Sequence, residues 1–220
     1  IRRNVNYADD LTMWKDVGAK RPDNARAYVA AGNALAARDR IGEAVEVTRE
    51  ATSIDPDYAD GHCALGVVLA RLGKPDEAID AYREALRLHP RHAKAWYNLG
   101  NVLDRRGKYD EAVDAYTNSI EAYSGFADAH CNLGNTLVRQ GRIDEGVEAF
   151  RKTLAINPRH VKGHNNLGDA LVKLGRLVEA AAEFETAIRL QPDYAKARIN
   201  LALLRVTQQL YAEAIEQCEA

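Results

Sequence analysis

The sequence predicts an all-α solenoid of antiparallel helix pairs, with about 13 helices along its 220 residues. Three observations support this fold class. A motif returns every 34 residues, apolar residues follow the spacing of a helix, and glycine and proline stand at fixed points of most periods. Together these features predict pairs of helices that bury their apolar sides against one another and against the next pair.

The period is clearest in a five-residue motif that reads WYNLG at residues 96–100, HCNLG at 130–134 and HNNLG at 164–168. Three further versions lie at residues 28–32, 62–66 and 198–202. We therefore predict repeats at residues 25–58, 59–92, 93–126, 127–160, 161–194 and, truncated, 195–220. Residues 1–24 are predicted to be the second helix and closing turn of a partial preceding repeat, because Trp14 and Pro22 fit those positions.

Each repeat is predicted to contain two helices. In the first helix the fourth, seventh, eighth and eleventh residues lie on one side at 3.6 residues per turn and form the packed side. Glycines 73, 107, 141 and 175 stand where this helix must end, and prolines such as Pro56 and Pro90 follow the second helix. In the last repeat we expect the second helix over residues 211–220.

These positions resemble the tetratricopeptide repeat (TPR) pattern, and the resemblance extends from residue 25 to residue 220. It implies a right-handed superhelix whose first helices line a concave face and whose second helices form the convex face. Binding in such arrays usually uses the concave face. The resemblance thus implies a non-catalytic scaffold that binds an extended peptide or a protein surface.

The residues predicted to face the groove lie opposite the packed side of each first helix. The sixth position carries the asparagine row, Asn98, Asn132, Asn166 and Asn200, and the thirteenth carries the basic row, Arg71, Arg105, Arg139 and Lys173. The other candidates at the second and ninth positions are Lys94, Lys162, Lys196, Asn101, Asn135 and Asp169.

An asparagine amide both donates and accepts hydrogen bonds, so a regular row of amides suits the backbone of an extended peptide. The asparagine row resembles the asparagine ladder in the repeat domain of O-linked N-acetylglucosamine transferases. The basic row favours a partner with acidic character. The alternative for both rows is that they are solvated helix-face residues, with the basic row favoured near helix C-termini by the helix dipole.

Other classes of function are disfavoured. A net charge of -2 and a pI near 6.3 argue against nucleic acid, and no apolar run approaches the ~18 residues of a membrane span. We expect no metal or other cofactor and no enzymatic activity, since His62, His130 and His164 are a repeat or more apart and cannot converge on one ion. The lysine with which some TPR domains clamp chaperone tails is missing from the fifth positions.

Two alternative functions stay open at this point. The chain, which we interpret as a fragment, could be the substrate-recognition domain of a larger enzyme such as a glycosyltransferase, or of a membrane protein. It could also self-assemble end to end. Three cysteines without metal or redox spacing favour the cytoplasm or another soluble compartment, with the soluble domain of a membrane protein as the alternative.

Overall fold

The computed structural model describes the backbone of residues 23–219 and the side chains of residues 23–209. All regular structure within this part of the chain is helical, in eleven helices. They are α1 (Ala25–Ala37), α2 (Ile41–Ile54), α3 (Ala59–Arg71), α4 (Pro75–Leu88), α5 (Ala93–Arg105), α6 (Tyr109–Ala122), α7 (Ala127–Arg139), α8 (Ile143–Ile156), α9 (Val161–Lys173), α10 (Leu177–Leu190) and α11 (Ala195–Glu219). The helix predicted within residues 1–24 lies outside the described residues.

The chain divides into two compact units, Ile1–Lys108 and Tyr109–Ala220, called unit 1 and unit 2. In unit 1, α1 packs on α2 and α3 on α4; in unit 2, α7 packs on α8 and α9 on α10. The members of each pair are joined by turns of only a few residues, so they form antiparallel hairpins. The predicted all-α class with paired helices is confirmed.

The turn inside each pair has one conformation. Gly73, Gly107, Gly141 and Gly175 have φ between 73° and 83°, where a Cβ atom would be strained. The next residue donates its N–H to a carbonyl in the last turn of the helix, as Arg142 does to Leu137 at 3.0 Å. These are the glycine-centred C-caps that the sequence predicts. The first repeat uses Asp39, with φ 62°, in place of glycine.

The chain differs from the prediction at its last repeat, where α11 runs on from Ala195 to Glu219. A turn and a separate helix over 211–220 were expected. The position of the capping glycine is here occupied by Gln209, so the residue that ends the earlier first helices is missing. With one helix in place of two at this end, and the helix of residues 1–24 outside the described residues, the predicted count of about 13 becomes the eleven described.

Aromatic rings are the largest buried side chains of four of the second helices. Tyr82, Tyr116, Phe150 and Phe184 are among the largest fully buried side chains, and Phe150 and Phe184 belong to one core cluster in unit 2. A Cβ atom at Gly168 would lie 2.5 Å from Cε1 of Phe184. Glycine at the eighth position is therefore required by the ring of the same repeat at Gly66, Gly134 and Gly168, and by Thr48 at Gly32, which refines the expectation that close helix crossing alone explains it.

Candidate functional site

A cavity of about 490 Å³ in unit 2 lies between α7, α9 and α11, the first helices of three successive predicted repeats. Buried or half-buried apolar side chains, among them Phe150, Ala170 and Leu204, form its floor. Seven of the candidate residues line it. These are Asn135, Arg139, Asn166, Asp169, Lys173, Lys196 and Asn200.

The other candidates are not among the residues that line this cavity. In unit 2, Asn132 is half-buried on α7 and Lys162 is exposed on α9. The remaining five belong to unit 1 and lie on α3 and α5. They are Arg71, Lys94, Asn98, Asn101 and Arg105.

The asparagine row makes hydrogen bonds between neighbouring repeats. Nδ2 of Asn166 lies 3.6 Å from Sγ of Cys131, and Nδ2 of Asn200 donates to Oδ1 of Asn165 at 3.0 Å. In unit 1 the side chain of Asn98 is bonded to Cys63. Each of these contacts joins the sixth position of one repeat to the fifth position of the repeat before it. The sequence interpretation missed this pairing, although the fifth position carries Cys63, Cys131 and Asn165 in the sequence.

Asn165 is a fully buried polar residue at the centre of a small network. Its Nδ2 donates to Asn166 Oδ1 at 3.2 Å and to Asp169 Oδ2 at 3.3 Å. Asn200 Nδ2 also donates to Asp169 Oδ1 at 2.7 Å. A buried amide that loses its hydrogen bonds is costly, so conformations of Asn165 that break these bonds are disfavoured. The network therefore holds the side chains beside the cavity in one orientation.

Asp169 is the carboxylate within this network. Burial raises the pKa of Asp169, while the Lys196 ammonium 3.8 Å away, the Asn165 amide and Lys173 oppose that rise. The carboxylate thus has internal partners, and Asp169 offsets only part of the positive charge around the cavity.

Burial raises the pKa of the Cys63 and Cys131 thiols to about 11. Both residues are therefore protonated near neutral pH and unsuited to nucleophilic chemistry, because the thiolate is the reactive form. Their hydrogen bonds to the asparagine row indicate a structural role.

The basic row has different surroundings along the chain. Arg71 donates through Nη1 to the carbonyl of Ala36 at 2.7 Å and through Nη2 to Asp39 at 3.3 Å. It therefore binds the C-terminal end of α1, where a cation is favoured. In unit 2, Arg139 and Lys173 are among the residues that line the cavity.

The fourth-position histidines bond to the closing turn that precedes their helix. Nε2 of His62, His130 and His164 lies 2.8, 3.3 and 3.0 Å from the carbonyls of Pro56, Ser124 and Pro158. Nε1 of Trp96 makes the same bond to Pro90 at 2.8 Å. Tryptophan and histidine share a ring N–H, and this common donor is the signal by which the role could have been found in the sequence.

Burial lowers the pKa of His130, whereas the hydrogen bond to Glu183 raises that of His164, with 2.6 Å between Nδ1 and Oε2. His160 lies four residues before His164 in the sequence, and both of its ring nitrogens make hydrogen bonds. Nε2 lies 3.0 Å from Asp128, and Nδ1 accepts the Gly163 N–H at 2.9 Å. Among the described residues no cluster of three or more His, Cys, Asp or Glu could hold a metal ion.

A second cavity in unit 2, of about 460 Å³, lies between α6, α7 and α8. Its wall includes four carboxylates, at Glu121, Asp144, Glu145 and Glu148. Two of them are paired within α8 and its cap, Glu145 with Arg142 and Glu148 with Arg151, both at 2.6 Å. None of the candidate residues lies here.

No helix in the described part of the chain is both long and apolar enough for a membrane span.

Comparison with known proteins places the repeats in a family. A tetratricopeptide repeat model matches residues 63–125, 131–194 and 179–220, and a TPR repeat model matches residues 32–73. No curated protein sequence matches the chain significantly.

Several solved structures share the fold. YrrB, described as a TPR protein with an unusual peptide-binding site, is 22% identical over 84% of this chain and 95% of its own, with a TM-score of 0.66. MamA from Desulfovibrio magneticus RS-1 is 25% identical over 77% and 96%, with a TM-score of 0.69. PilF from Pseudomonas aeruginosa is 25% identical over 89% and 95%, with a TM-score of 0.70. With family models matching well over half of its length, the chain belongs to the tetratricopeptide repeat family.

Proposed function

We propose that this chain is a non-catalytic interaction scaffold that binds an extended acidic peptide in the cavity of about 490 Å³ between α7, α9 and α11. This cavity is called the unit 2 cavity below. Proteins of the TPR family serve as protein-interaction scaffolds, and their fold is in general non-catalytic. The observation that carries the proposal is the placement of three cations around one apolar floor. Arg139 comes from α7, Lys173 from α9 and Lys196 from α11.

The charge balance of the cavity favours a negatively charged partner. Asp169 is the one carboxylate among the lining residues of this cavity, and it already receives hydrogen bonds from Asn165 and Asn200. Arginine and lysine next to an apolar surface bind carboxylates more strongly than in open water, because the low-dielectric surroundings strengthen the attraction. Carboxylates of a bound segment would therefore be attracted to the rim.

The cavity also suits an extended backbone. Its volume of about 490 Å³ lies within the usual range for small binding pockets, enough for a few side chains at a time. Asn135 on α7 supplies an amide that can pair with a peptide group. Asn166 and Asn200 use their N–H groups within the protein, so we expect them to position the floor more than to bind the ligand.

Selection of phage-displayed random decapeptides on the full chain tests this function. We expect the enriched peptides to be rich in Asp and Glu, and a synthetic copy to bind with an affinity that falls as salt rises, since salt screens charge pairs. Enrichment of basic peptides, or of none, would contradict the proposal.

A double charge reversal, Arg139→Glu with Lys173→Glu, locates the binding. We expect the affinity for the selected peptide to fall by roughly tenfold or more, because two attractions become repulsions. The matched control is Arg91→Glu with Arg159→Glu, which makes the same change of charge at exposed positions in two closing turns. Equal losses in both variants would show that net charge, rather than the cavity, governs binding.

A further inference from the structure

Two exposed apolar side chains lie at the edge of the unit 2 cavity. Leu203 on α11 is 62% exposed, and Val172 on α9 is 38% exposed, and both line the cavity. Isolated exposed apolar residues are common on protein surfaces. These two differ because they share one concave surface with buried Phe150, Phe184 and Leu204 and therefore extend its apolar floor to the solvent.

Leu203 also departs from the pattern of its own position. The ninth residue is polar in the three first helices that directly precede α11, with Asn101, Asn135 and Asp169 at this point, whereas the second repeat carries Val67. Position nine belongs to the groove-facing side, so a polar residue there is the ordinary choice of this sequence. A leucine at this point adds apolar surface to the cavity that Lys196 and Lys173 also line.

We propose that the cavity selects peptides in which one bulky apolar side chain is flanked by carboxylates. The apolar side chain packs on Leu203, Val172 and the floor beneath them, and the carboxylates pair with Arg139, Lys173 and Lys196. This inference rests on the proposed function and adds the class of peptide sequence that is bound. Charge complementarity and the apolar floor together exclude purely acidic segments and purely apolar segments as the best ligands.

The expected selectivity follows from burial. Covering a leucine-sized side chain stabilises a complex by an amount that corresponds to roughly tenfold to a hundredfold in affinity. An acidic decapeptide with a central leucine should therefore bind at least about tenfold more tightly than the same peptide with serine in that place.

Fluorescence anisotropy with two labelled decapeptides tests this selectivity. One alternates glutamate and serine around a central leucine, and the other carries serine in place of that leucine. Leu203→Asn, which introduces the kind of polar residue found in the three preceding repeats, should abolish most of the preference for the leucine peptide and leave the serine peptide unaffected. The matched control is Val178→Asn on α10, where an 81% exposed valine outside the cavity is changed in the same way.

The outcomes separate this inference from the proposed function. If Leu203→Asn leaves the preference intact while the double charge reversal still weakens both peptides, the apolar subsite is wrong and the acidic-peptide scaffold stands. If neither variant changes binding, both proposals fail. If sedimentation velocity shows that the chain dimerises and that Leu203→Asn dissociates the dimer, the surface binds a second copy and the inference is overturned. Circular dichroism of each variant verifies that the helices remain folded.

Discussion

The pair of His164 and Glu183 joins the two helices of one repeat through a bond of 2.6 Å between Nδ1 and Oε2. Nε2 of the same ring lies 3.0 Å from the Pro158 carbonyl, so both nitrogens have partners that favour the protonated ring. The resulting rise in the pKa of His164 connects local geometry to the pH dependence of stability.

The sign of that dependence follows from the direction of the shift. A histidine with a raised folded-state pKa contributes stability that is fully present below its unfolded value near 6.5 and is lost as pH rises through the folded value. We therefore predict that Glu183→Gln destabilises the chain by about 1–3 kcal/mol at pH 5.5 and by less at pH 8.5. Urea unfolding at the two pH values measures this difference. An equal loss at both would show that the charged pair does not form.

For the asparagine row, the sequence pattern predicted the positions of the side chains but not their hydrogen bonds. The period placed Asn166 and Asn200 on one side of their helices, and the structure finds both beside the cavity. Their hydrogen bonds to Cys131 and Asn165 depend on the distance between neighbouring helices. That distance is a product of packing, so a single-sequence pattern gave no direct measure of it.

Two helical glycines have different surroundings, and changing each of them to alanine should have opposite effects on stability. Gly168 lies in α9, where an added Cβ would come within 2.5 Å of the Phe184 ring, while Gly42 lies in α2 with open space around it. We predict that Gly168→Ala destabilises the chain by about 1–3 kcal/mol through overpacking. Gly42→Ala should stabilise it by about 0.5–1 kcal/mol, because alanine is the better helix former.

Urea unfolding of the two glycine variants at neutral pH measures both effects. The chemical change is the same in each, so a difference in sign reports on the surroundings alone. Destabilisation by Gly42→Ala, or no effect of Gly168→Ala, would contradict this account of the packing between first and second helices.

The boundaries of the helices were largely predictable, because the caps are local. Glycines with positive φ end α3, α5, α7 and α9 where the sequence places them. The continuous α11 was less predictable, although Gln209 in the capping position is visible in the sequence. The 34-residue period predicts a turn at this point, but the helix continues because no glycine is present to end it.

For the molecule as a whole, the 34-residue period gave the fold class, since repeated helix pairs can bury their apolar sides only by stacking. The period could not select among the later repeats, because those from residue 93 to residue 194 carry similar residues at the positions predicted to face the groove. The structure distinguishes them by one cavity in unit 2, lined by half of the 14 candidate residues. Leu203, where the three preceding repeats carry a polar residue, is one such difference between repeats that line this cavity.

A titration of the full chain with the leucine-containing acidic decapeptide, followed by ¹⁵N NMR, locates the bound peptide on the protein. We predict that the perturbed signals cluster on α7, α9 and α11, and that they include the side-chain amides of Asn135, Asn166 and Asn200. The amides around Glu121 and Glu148 of the second cavity should stay unchanged. Perturbations confined to that second cavity or to unit 1, or no perturbation at saturating peptide, would contradict the claim that the unit 2 cavity is the binding site.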